Sequence, residues 1–118
     1  MPSASLDRRE STLEDPHHPI IEEPWQYRIA EFRYLTGIDG DVPCIDLHLV
    51  NGDSKRRLRF SRPQDLVIER GCFPEPTGGM VILDTSARQM EGMNVQVTDR
   101  EGTRGAITFW AESVTALA

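Results

Sequence analysis

Cys44-Ile45-Asp46-Leu47-His48-Leu49-Val50-Asn51-Gly52-Asp53-Ser54-Lys55-Arg56-Arg57-Leu58-Arg59-Phe60-Ser61 is the stretch that decides the fold. Ile45, Leu47 and Leu49 alternate with Asp46, His48 and Val50, and Leu58 and Phe60 alternate with Arg57, Arg59 and Ser61. A period of two gives each half one apolar face, as in a half-buried strand. Asn51-Gly52-Asp53-Ser54 supplies the turn chemistry between them. Closing these residues as a four-residue loop sets Leu47 opposite Leu58 and Ile45 opposite Phe60. The same register sets Asp46 opposite Arg59 and His48 opposite Arg57. A two-residue Asn51-Gly52 turn would instead face Leu47 with Arg56, so the longer loop is expected.

Outward from this hairpin the chain continues as short apolar stretches separated by turn residues, the spacing of an all-β domain. Trp25, Ile29 and Phe32 fit a helical stripe, whereas Tyr27, Ile29, Phe32 and Tyr34 fit a strand bulged near Ala30-Glu31; the aromatic content favours the strand. Leu66 and Ile68 suggest a short strand, and residues 71–79, with Pro74, Pro76 and a Gly-Gly pair, a loop. The unbroken run Met80-Val81-Ile82-Leu83 reads as a central strand buried on both faces. Ser86 with Gln89 three residues on suggests one helical turn. Val95 and Val97 alternate, residues 99–102 turn, and residues 106–112 return as a final strand with Ile107, Phe109 and Ala111 facing the core. The expected fold is therefore all-β: a compact six- to seven-stranded antiparallel barrel or sandwich with at most one short helical turn.

The chain has 118 residues and a net charge of −6, unevenly placed. Residues 1–24 hold four prolines and six acids against two arginines, with little apolar periodicity, and read as a disordered or extended acidic tail. Residues 25–118 read as a single small β domain carrying the remaining 13 acids and 11 bases. Such a balance argues against nucleic acid and membrane surfaces as partners. The opening residues resemble no secretory leader, and Cys44 and Cys72 lack CxxC spacing; a cytoplasmic protein with reduced thiols is expected.

Catalytic chemistry finds little to work with. No G-x-S-x-G, P-loop, GxGxxG or HExxH occurs, and His48 is the one histidine within the domain. Cys44, Asp46 and His48 share a strand face, yet Cys44 and His48 lie roughly 13 Å apart along it, too far for a thiolate–imidazole pair. Asp46 and His48, roughly 7 Å apart, would need a further ligand from elsewhere to hold a metal. Neither a catalytic set, a metal site nor a cofactor is expected.

The densest feature is Lys55-Arg56-Arg57-Leu58-Arg59-Phe60-Ser61-Arg62, five bases in eight residues. Basic side chains guard strand edges, and they also grip anions or acidic partners. Arg57, Arg59 and Arg62 are the candidate binding residues, joined by Trp110, which the alternation of residues 107–111 turns away from the core. Arg59 and Arg62, followed by Asp84-Thr85-Ser86, resemble the PilZ domains, β barrels that bind cyclic di-GMP through Arg-x-x-x-Arg and Asp/Asn-x-Ser-x-x-Gly. Here the arginines are three apart rather than four, Gln89 takes the position of the glycine, and the resemblance covers five residues. The expectation is a non-enzymatic interaction or regulatory module whose partner is another protein, with self-association compatible. The alternative is a domain binding a small anionic ligand, such as a nucleotide or the cyclic dinucleotide that the resemblance implies.

Overall fold

In the computed structural model, which describes residues 15–69, 79–99 and 107–117, the chain forms two four-stranded antiparallel sheets. The first has the order β1 (Arg28–Leu35), β2 (Cys44–Asn51), β3 (Ser54–Ser61), β8 (Ser113–Leu117). The second has the order β4 (Gln64–Ile68), β7 (Ile107–Ala111), β6 (Val95–Asp99), β5 (Met80–Asp84). The sheets stack as a sandwich and do not close into a barrel.

The alternation in the central hairpin becomes its packing. Leu47 pairs with Leu58, Ile45 with Phe60, Asp46 with Arg59 and His48 with Arg57. Asn51 pairs with Ser54, so Gly52 and Asp53 alone span the turn, and Gly52 takes φ 61. A positive φ there is what the primed hairpin turns demand. Ile45, Leu47, Leu49, Leu58 and Phe60 are all buried. Phe60 meets Phe109 of the second sheet edge-on, with ring centroids 5.0 Å apart, and this contact joins the two layers. Residues 28–35 are a strand, and its register with β2 slips at Ala30, between Ile29 and Glu31.

The last expected strand is two. β7 ends at Ala111, Glu112 turns the corner, and the chain re-enters the first sheet as β8, bringing the count to eight. β3 passes into β4 through Arg62 and Pro63 at the same corner, so two paired strands change sheets together. Glu112 N–H donates to the Ser61 carbonyl at 2.9 Å, and Arg62 N–H to that of Pro43 at 2.8 Å. Arg62 takes φ 52 to make the turn, and Pro63 brings no N–H to satisfy. The corner leaves a weak signal in sequence because a single residue, Glu112, separates the strand burying Ile107, Phe109 and Ala111 from one of opposite phase that buries Val114.

β5 is buried on both faces, as its composition requires, but it lies at the end of its sheet rather than at the centre. Residues 15–24, part of the stretch read as a disordered or extended tail, explain the difference by occupying that edge. Asp84 N–H donates to the Pro16 carbonyl and His18 N–H to that of Ile82, both at 2.8 Å, around a His17–Leu83 bridge. Asp15 pairs with Arg88 at 2.8 Å, and Ile21 and Pro24 are buried. The turn near Ser86 is a short 3-10 segment (Ser86–Arg88), in which Ser86 N–H and Oγ both donate to the Asp84 carboxylate. The loop expected at 71–79 falls almost wholly outside the described residues.

Candidate functional site

The outer face of the first sheet gathers the charge. The register places Arg28, Glu31, Arg33 and Leu35 of β1 beside Val50, His48, Asp46 and Cys44 of β2. Beyond them stand Lys55, Arg57, Arg59 and Ser61 of β3, then Leu117, Thr115 and Ser113 of β8. Five bases face two acids, a local charge of +3 in a chain of net −6. The hairpin is responsible: burying Leu58 and Phe60 turns Lys55, Arg57 and Arg59 outward together.

These bases differ in what holds them. Arg59 donates Nε to Asp46 Oδ1 and Nη2 to Oδ2, each at 2.8 Å, a two-point ion pair across β2 and β3. This pair, helped by Arg33, holds the Asp46 carboxyl below the usual aspartate range, and Asp46 pushes the Arg59 guanidinium up. Arg57 stands opposite His48, and among the described residues neither Arg57 nor Lys55 is in an ion pair. Asp46 and His48, side by side on β2, therefore face arginines, and no group of three metal-ligating side chains occurs among the described residues.

A cleft of about 610 Å³ opens beside this face, under the segment joining β1 to β2. Leu35, Ile38, Val42 and Cys44 make its apolar wall, and Arg59 and Ser61 close the β3 side. Ile38 is 75% exposed and Val42 47%, large for aliphatic side chains on a small domain. Gly37 shapes the overhang: it takes φ 80, and a Cβ there would stand 2.5 Å from the Asp41 carbonyl oxygen. The Cys44 thiol, buried where it lines the cleft beside Asp46, is pushed up in pKa by burial and by that carboxylate. The cleft leaves little trace in the sequence because Ile38 and Val42 carry no periodicity; two aliphatics in a Gly-Asp-rich turn are its one signal.

Of the four residues expected to bind, the structure brings Arg57 and Arg59 onto this face. Arg62 lies at the corner and pairs with Glu112 at 3.2 Å. Trp110 is half-buried on the outer face of the second sheet, between Gln64 and Gln96 in register. The residues that resemble PilZ domains are likewise engaged within the chain: Arg59 with Asp46, Arg62 with Glu112, and Asp84 with Ser86. Asp84 lies at the β5 edge and Arg62 precedes β4 at the opposite edge, roughly 14 Å away across three strand spacings. Compared with known proteins, the chain matches no family model, no curated sequence and no solved structure. No helix among the described residues is long and apolar enough to cross a membrane.

Proposed function

We propose that the chain is a non-enzymatic interaction module, acting in the cytoplasm, that docks an acidic protein segment on the outer face of its first sheet. The supporting observation is the +3 face itself, where Lys55 and Arg57 stand without ion-pair partners among the described residues. The adjoining cleft adds the second half of an interaction surface, since Ile38 and Val42 offer apolar area for an anchoring side chain. Arg59 serves this surface as a fixed strut rather than as a free cation, because Asp46 already occupies its fork.

Poly-glutamate is the simplest probe. Fluorescence anisotropy at low salt is expected to show binding that weakens as salt rises, because solvent-exposed charges are screened beyond about 10 Å at 0.1 M. Lys55→Glu with Arg57→Glu is expected to abolish it while leaving the fold intact, as both side chains are exposed. Equal binding by the folded double variant would overturn the proposal.

A further inference from the structure

We infer that the acidic partner binds as an added β-strand on the outer edge of β8, which no other described strand pairs with; this rests on the interaction reading above and specifies its geometry. A sandwich of two open sheets has four edges, and three of them are obstructed here. Pro16–His18 already lies against β5. β1 carries a bulge at Ala30 and the charged side chains Arg28, Glu31 and Arg33. β4 slips register between Gln64 and Val67 and holds Asp65 at φ 58. Bulges, charges and kinks of this kind are the devices that stop edge pairing.

β8 has none of them. Ser113-Val114-Thr115-Ala116-Leu117 contains no charge, glycine or proline, and it pairs with β3 without a register shift. Its neighbours on the β3 side of the outer face are Arg57, opposite Leu117, and Arg59, opposite Thr115. A strand added to β8 lies two spacings from β3, roughly 9.6 Å, within reach of an arginine side chain lying across Thr115 and Leu117. Backbone pairing then gives affinity, and an acidic side chain opposite Leu117 meets Arg57. Charge also selects the occupant. A second copy paired β8 to β8 would bring two +3 faces together, whereas an acidic strand neutralises one.

The probe is a fluorescent peptide of alternating valine and glutamate, with a second version N-methylated on alternate residues to remove the pairing amides at unchanged charge. The unmodified peptide is expected to bind, to slow amide exchange at Ser113–Leu117, and to weaken about tenfold or more, roughly 1.4 kcal/mol or above, on Arg57→Glu. The N-methylated peptide is expected to lose binding. If both peptides bind equally and β8 exchange is unchanged, the acidic partner sits on the face and strand addition is wrong. If neither binds at low salt, both the strand addition and the face reading fail. Self-association that protects β8 in the absence of peptide would overturn the inference in favour of a second copy.

Discussion

Arg59 and Asp46 face each other across β3 and β2 with two parallel hydrogen bonds, Nε to Oδ1 and Nη2 to Oδ2, each 2.8 Å long. The pair sets Arg59 apart from Lys55 and Arg57, which are in no ion pair among the described residues. It also ties stability to pH. Asp46 titrates below its unfolded value, so its contribution is complete above the unfolded aspartate pKa of about 3.9 and fades as pH falls through the depressed folded value. Asp46→Asn is expected to remove that part of the acid-side loss, measured as urea midpoints between about pH 2 and 6. Asp84, lowered by the Ser86 hydrogen bonds, should keep its own share in the variant.

The hairpin interior should dominate stability over its ion pair. Leu47 and Leu58 are 1% and 0% exposed, and truncating either to Ala is expected to cost about 2–4 kcal/mol. Asp46→Ala should cost less than about 1 kcal/mol, the range for a pair whose arginine is largely solvated. Equilibrium denaturation of the three variants checks the order.

This ordering was legible in the residues themselves. Alternation puts Ile45, Leu47, Leu49, Leu58 and Phe60 on one face, and pairing Leu47 with Leu58 rather than with Arg56 chooses the register. The corner was harder, because only Glu112 separates β7 from β8 and Val114 alone marks the change of buried phase from Ile107, Phe109 and Ala111. The N-terminal arm was hidden for a different reason. Pro16, Pro19 and Pro24 suppress every periodic signal, yet an arm bound through two backbone hydrogen bonds and one or two apolar anchors needs no periodicity. The basic face was half visible: Arg57 and Arg59 share it through their spacing, while Arg33 joins only once β1 is known to pair with β2.

The arm should be structural. Ile21 is 6% exposed, and Ile21→Ala is expected to cost about 2 kcal/mol or more. Removing residues 1–18 strips both backbone hydrogen bonds and the Asp15–Arg88 pair from the β5 edge. The amides of Ile82 to Asp84 should then exchange faster, and the truncated chain should self-associate more readily through the bared edge. Unchanged exchange at these amides would show that the arm is incidental.

The cleft should depend on Gly37. With φ at +80 and the Asp41 carbonyl 2.5 Å from any Cβ, Gly37→Ala must shift the segment that forms the overhang. A loss of roughly 1–3 kcal/mol is expected from the backbone strain. Nuclear magnetic resonance shifts should change around Ile38 and Val42 and leave the β5–β6 pair untouched.

Docking of a partner on the outer face of the first sheet is decided by amide shift mapping during a poly-glutamate titration at low salt. Perturbations are expected to cluster on Arg33, His48, Lys55 and Arg57 and on Thr115 and Leu117 of β8, with the opposite face around Gln96 and Trp110 silent. Perturbations centred on Trp110, or none above those caused by the same concentration of sodium glutamate, would contradict it.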